Sequence, residues 1–138
     1  MKEQKIPAFR CTKAIVGFGG EATFWWMRFL KKGFYHCLVA LGDGHFWILI
    51  DPLVAQIDLI VINRADLDLF LAKNGYKTLH VSVKDAKGRR LRLRPYSCVE
   101  TVKRFLGIQN PSLWTPYQLY RYLKQKNRKI ILDKVSKL

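Results

Sequence analysis

Hydrophobic and polar positions follow two different periods along this chain, and each change of period marks an element. Ala14 to Phe18 is a short apolar run that reads as a strand, broken by Gly17, Gly19 and Gly20. Glu21 to Lys32 reads as a helix, with an acid at its start, Phe24, Trp25, Met27, Phe29 and Leu30 inside, two lysines at its end and Gly33 as its stop. The adjacent Trp25 and Trp26 are expected to be core. Phe34 to Leu41 and His45 to Asp51 read as a hairpin over Gly42-Asp43-Gly44. Both strands are apolar on both faces, which predicts a central place in a sheet. Gln56 to Ile62 reads as a further strand, and Ala65 to Lys73 as a helix ended by Asn74-Gly75. Thr78 to Val83 and Arg89 to Arg94 form a second predicted hairpin. In its second strand Leu91 and Leu93 face one way and Arg90, Arg92 and Arg94 the other.

Two helix starts are spelled out residue by residue. Ser97 can cap a helix over Cys98 to Leu106, Glu100 can close a capping box, Val99, Val102, Phe105 and Leu106 form the apolar stripe, and Gly107 stops it. Thr115, Pro116 and Gln118 predict a second capped start, with a helix running to about Lys124. The pattern as a whole is that of a single α+β domain, a small antiparallel sheet with helices, over residues 13–125. Residues 1–12 form a basic, poorly ordered lead-in, and residues 126–138 a basic tail whose pattern assigns no element.

Composition narrows the class. The 138 residues are 49 % hydrophobic and 13 % aromatic, as a packed domain requires. Lys and Arg number 25 against 10 Asp and Glu, a net charge of +15 that favours polyanionic partners. Cys11, Cys37 and Cys98 are odd in number and include no C-x-x-C pair, which argues against a disulfide framework or a zinc ribbon. No signal-peptide pattern opens the chain, and the most apolar stretch, Phe46 to Ile62, is interrupted by Asp51, Pro52, Gln56 and Asp58, so no membrane span is expected. A reducing, cytoplasmic setting follows as the expectation.

The chemistry suggested by these elements is that of a thiol. Cys98 falls at the first helical position, where the helix dipole and unpaired amides favour a thiolate. His36 lies mid-strand in an apolar run, where an imidazole needs a partner. A two-residue loop at Asp43-Gly44 would pair Gly42 with His45 and set Asp51 directly opposite His36. A carboxylate there would hold one ring nitrogen and leave the other for a nucleophile. A loop longer by one residue would set Ile50 opposite instead. Cys37 points to the other face and is expected to be core. A zinc site from Cys37, His45 and Cys98 has no supporting spacing, and no cofactor is expected.

Tyr35-His36-Cys37-Leu38-Val39-Ala40-Leu41-Gly42-Asp43-Gly44 resembles the histidine strand and turn of the circularly permuted branch of the NlpC-type papain-like superfamily, to which the lecithin retinol acyltransferase-like proteins belong. Ser97-Cys98-Val99-Glu100 is similar to that branch's cysteine helix start. The resemblance spans residues 34–107. It implies a papain-like domain with Cys98 as nucleophile, His36 as general base and an oxyanion site at the Cys98 amide. The acyltransferase group has a second histidine as third polar residue, whose nearest equivalent here falls around Ile48, and Asp51 takes that role in this reading. The implied activity is a cysteine hydrolase (amidase or peptidase) or an acyltransferase, working on an amide or ester through an acyl-cysteine.

The charge surplus sustains an alternative. Arg90, Arg92 and Arg94, together with Arg121, Lys124 and Arg128 among interleaved aromatics, could form an anion-binding surface. In that reading the chain is a non-enzymatic module of the same fold, binding nucleic acid or an assembly partner, as in a virion or phage-derived particle.

Overall fold

A computed structural model describes residues 11–53, 56–83 and 97–138. The order of elements is β1 (Lys13–Gly19), a 3-10 helix (Trp25–Phe29), β2 (His36–Gly42), β3 (Phe46–Pro52), β4 (Ile57–Asn63), α1 (Arg64–Lys73), β5 (Lys77–Ser82), α2 (Cys98–Leu106) and α3 (Pro116–Ser136). The five strands form one antiparallel sheet in the order β4-β3-β2-β1-β5. The α+β class and antiparallel sheet expected from the sequence are therefore present. The predicted strand over Arg89 to Arg94 and the cluster Arg90, Arg92 and Arg94 lie outside the described residues.

The centre of the sheet follows from residues that are apolar on both faces. β1 and β2 are buried along nearly their whole length, and each face carries its own core. On one face Ala14, Val16, Phe18, Cys37, Val39 and Ile50 pack against Val99, Val102 and Leu106 of α2 and Leu119 and Leu123 of α3. On the other, Ile15, Leu38, Ala40, Trp47 and Leu49 pack against Leu67 and Leu71 of α1. Strand alternation separates the two sets. Phe18 anchors the first, with ring centroids 5.3 Å from Tyr120 and 6.1 Å from Phe34.

The helix starts form where the local chemistry places them. Ser97 Oγ accepts the Glu100 amide at 3.1 Å, and Gly107 ends α2 at φ 68°. Thr115 and Gln118 make a complete capping box at α3, behind Pro116. Asn63 caps α1 by accepting the Asp66 amide at 2.8 Å. The stripe of α2 differs in detail from the predicted one. Phe105 is exposed while Thr101 and Lys103 are buried, and Lys103, 4 % exposed, donates to Glu100 Oε1 at 2.8 Å.

Two stretches differ from their prediction. Glu21–Lys32 is not an α-helix: only Trp25–Phe29 winds, as a 3-10 turn, and it buries no residue. Its N-cap is Phe24, which has no side-chain oxygen to accept an orphan amide, and its bulky aromatics are weak helix formers. Trp25 and Phe29, at 73 % and 74 % exposure, stand in solvent rather than in the core. α3, in contrast, runs on through 126–136 to Ser136. The continuation contains neither Gly nor Pro to stop it, and Asn127 Nδ2 ties it to the sheet by donating to the His80 carbonyl at 2.9 Å. No residue of α3 beyond Leu123 is buried.

Candidate active site

The hairpin that carries His36 and Asp51 turns one residue later than the Asp43-Gly44 loop would place it. The Asp43 amide donates to the Phe46 carbonyl at 3.4 Å, so the loop is Gly44-His45. Gly44 has φ 108°, the positive value needed at the first central position of a type II′ hairpin turn. Asp43 Oδ1 fixes that turn by accepting the amides of His45 at 2.8 Å and Phe46 at 3.1 Å. Those two bonds hold the Asp43 carboxyl below its ordinary pKa.

Moving the turn by one residue moves every cross-strand pair by two. The ladder pairs Gly42 with Trp47 and Val39 with Ile50, and extending it by one sets Asp51 opposite Leu38 rather than His36. A shift of two keeps each side chain on its original face. His36 and Asp51 therefore remain on one face as diagonal neighbours, and a long side chain can bridge that gap. His36 Nε2 and Asp51 Oδ1 are 2.7 Å apart, with 19 % and 20 % of the side chains exposed. An ionised carboxylate only accepts, so Nε2 carries the shared proton and Nδ1 is left for another partner.

Cys98 stands at the first position of α2, over the end of β2, close enough to the His36 ring and the Cys37 thiol for both to lower its pKa. Alternation sends the His36 and Cys37 side chains to opposite faces, and the two meet Cys98 at the end of the sheet, because His36 is the first residue of β2. Gly20, at φ 81°, lets the chain pass there. A Cβ on it would lie 2.8 Å from His36 Cβ, so a larger residue would push the ring aside.

The electrostatics are those of an ion pair. The Cys98 pKa falls to about 5, first through the hydrogen bond from the Cys37 thiol, against the opposing effect of burial, and then through the hydrogen bond and positive charge of His36 and the Cys37 amide. Burial works against a charged His36 ring, but its hydrogen bonds to Asp51 and Cys98 and their negative charges outweigh it, raising the pKa to about 9. Cys37, fully buried, is raised well above the ordinary value by burial and then by its bond to Cys98, so it stays a neutral donor. Thiolate and imidazolium thus coexist across neutral pH. The position at the helix start adds a second feature, since helix geometry leaves the Cys98 and Val99 amides without intrahelical acceptors.

The structure brings Cys98, His36 and Asp51 together. Two further groups join them that sequence reasoning assigned elsewhere or passed over. Cys37 is core, as expected, and its thiol also acts to lower the Cys98 pKa. Tyr76, stacked on Phe70 at 6.2 Å and lying against Gly19, feels the charges of Asp51 and Cys98. Burial first, and those charges next, push its phenol up to about 12. The adjacency of Cys37 to His36 was the only signal for the former. Tyr76 had none.

His45 sits in the turn, at the opposite end of β2 from Cys37, so the set Cys37, His45 and Cys98 does not converge. Among the described residues no group of three or more His, Cys, Asp and Glu side chains is placed to hold a metal ion. Of the predicted anion-binding residues, Arg121, Lys124 and Arg128 are exposed and fall on one stripe of α3, with Lys124 Nζ 5.6 Å from the Tyr120 ring centroid. No helix among the described residues is long and apolar enough to cross a membrane. Family models, curated proteins and solved structures were each searched, and none matches this chain.

Proposed function

We propose that this protein is a cysteine hydrolase or acyltransferase of permuted papain-like type, acting on an amide or ester through an acyl-Cys98 intermediate. One observation carries the reading. A helix-start thiol lies close enough to an imidazole for each to shift the other's pKa, and Nε2 of that imidazole is 2.7 Å from a carboxylate oxygen.

The geometry supports each step. The Cys98 thiolate attacks the substrate carbonyl carbon, and the resulting oxyanion faces the free amide at the start of α2. The His36 imidazolium gives its Nδ1 proton to the departing amine or alkoxide, leaving a thioester on Cys98 and a neutral ring. Neutral His36 then takes a proton from water, or from an acceptor amine or alcohol, which attacks the thioester and releases the Cys98 thiolate. Asp51 keeps the proton on Nε2 throughout, so that Nδ1 is the nitrogen that works.

The test is acyl trapping with an activated ester such as p-nitrophenyl acetate, read by intact mass and peptide mapping. One acetyl on Cys98, absent in Cys98→Ser and formed at least about a hundredfold more slowly in His36→Ala, is the expected result. An acetyl that maps to Cys11, or no adduct at all, overturns the proposal.

The exposed stripe of Arg121, Lys124 and Arg128 favours a second reading, a polyanion-binding module. It requires that binding to a generic duplex weaken steeply with salt, and that replacing the three side chains with glutamine remove the binding. No binding at low salt ends it.

A further inference from the structure

The thiol chemistry does not use the 3-10 segment between β1 and β2. Phe24, Trp25, Trp26 and Phe29 are all exposed, in a stretch of six residues. Bulky aromatics clustered on a surface mark an interaction site rather than a folding requirement. Arg28, Lys31 and Lys32 stand among and beside them, also exposed, and Glu21 is the one acid between Gly20 and Tyr35. Paired tryptophans flanked by cations are the composition of a segment that rests at the boundary of a bilayer.

We propose that Phe24–Lys32 is an interfacial anchor that seats the protein on an anionic lipid bilayer. The aromatic edges enter the headgroup layer, and Arg28, Lys31 and Lys32 meet lipid phosphates and carboxylates. The net charge of +15 draws the whole molecule to the same surface. The rings themselves favour lipid over stacked bases. Arg28 lies over the faces of Trp25 and Phe29, 6.0 and 5.2 Å from their centroids, and Phe24 and Trp26 stack on each other at 6.1 Å. Each ring thus has one face already covered, while its edges remain free. A base-stacking platform presents open faces.

The topology adds a consequence for the site. The segment leaves β1 at Gly19 and returns at His36, and these two residues are cross-strand partners. The Tyr35 amide closes the loop on the Gly19 carbonyl at 3.0 Å. An anchored loop therefore holds the His36 end of the sheet, with its thiol and imidazole, at the lipid surface.

The test is sedimentation of the full chain with vesicles of phosphatidylcholine alone and of phosphatidylcholine with phosphatidylserine, without any substrate, so that its result is independent of the thiol's reactivity. Binding to the serine-containing vesicles is expected. The triple variant Trp25→Ala, Trp26→Ala, Phe29→Ala should lose it about tenfold or more. Replacing Arg28, Lys31 and Lys32 with glutamine should lose about fivefold per charge. Leu59→Ser with Val61→Ser, on β4, should bind as the wild type does. Thermal melts should show each variant folded, as expected for exposed positions. Equal binding to both vesicle types, unaltered binding by the aromatic variant, or an aromatic-dependent affinity for a single-stranded oligonucleotide with none for vesicles would each overturn the proposal.

Discussion

The pKa assigned to Cys98 gives a rate profile with an unusual shape. The perturbation is pH, and the probe is a dithiodipyridine, which reacts by thiol–disulfide exchange over a wide pH range. The comparison is a small free thiol with a pKa near 8.5. At about pH 6 such a thiol is roughly 0.3 % thiolate, whereas Cys98, with a pKa of about 5, is roughly 90 % thiolate. The advantage in thiolate is then about 300-fold. A less basic thiolate is also a weaker nucleophile. With a Brønsted coefficient of about 0.4–0.5 over about 3.5 pKa units, the handicap is roughly 25- to 55-fold. Cys98 should therefore react about 5- to 10-fold faster than the free thiol at pH 6 and about 40-fold faster at pH 5. The two should match near pH 7, and Cys98 should be about 30-fold slower near pH 9. Steric shielding scales the entire profile without moving its inflection, so the inflection is the diagnostic. Stopped-flow rates on a Cys11→Ser background measure it. A single inflection between about pH 8 and 9 would refute the ion pair and the mechanism built on it.

The same pair sets a pH dependence of folding. Cys98 drops from the range of a free thiol to about 5, so between those limits the unfolded chain binds more protons and stability rises with pH. His36 rises from 6.5 to about 9, so across that interval the folded chain binds more protons and stability falls with pH. The sum is a rise from about pH 5 to 6.5 and a plateau to about 9. Cys98→Ser should abolish the rise between about pH 5 and 6.5, as read from urea midpoints of the two proteins. Cys37→Ala removes the largest single contribution to the lowered Cys98 pKa and should move the dithiodipyridine inflection upward; an unmoved inflection would leave Cys37 a packing residue only. Gly42→Ala puts a Cβ within 2.5–2.7 Å of three indole carbons of Trp47 and should cost about 1–3 kcal/mol by overpacking, seen as a lower urea midpoint at unchanged m.

The site was largely legible in the sequence because it rests on local rules. Ser97 before Cys98 and Gly107 after Leu106 specify a helix start and stop by short-range hydrogen bonding, and these hold whatever the tertiary packing. The His36–Asp51 contact was expected for a reason that is only half right. The turn sits at Gly44-His45 instead of Asp43-Gly44, and the contact survives because two residues is one full strand period. A shift of one would have sent Asp51 to the face of Cys37. The role of Cys37 was hidden by the alternation that assigned it to core. Alternation describes the faces of a sheet, and the thiols meet at its end. Trp25 and Trp26 were misjudged because composition cannot tell a buried aromatic from one exposed for a partner. The length of α3 was hidden because its second half has no inward stripe to give a period.

That second half of α3 has a consequence for dynamics. Up to Leu123 the helix can unwind only by opening the core, so its amides should exchange with solvent as slowly as those of β1 and β2. Beyond it, the Asn127 link to the His80 carbonyl is the one side-chain bond to the sheet seen among the described residues, and nothing further is buried. The last turns can therefore fray independently of the domain, and deuterium uptake along this one helix should be graded from its fixed start to its loose end.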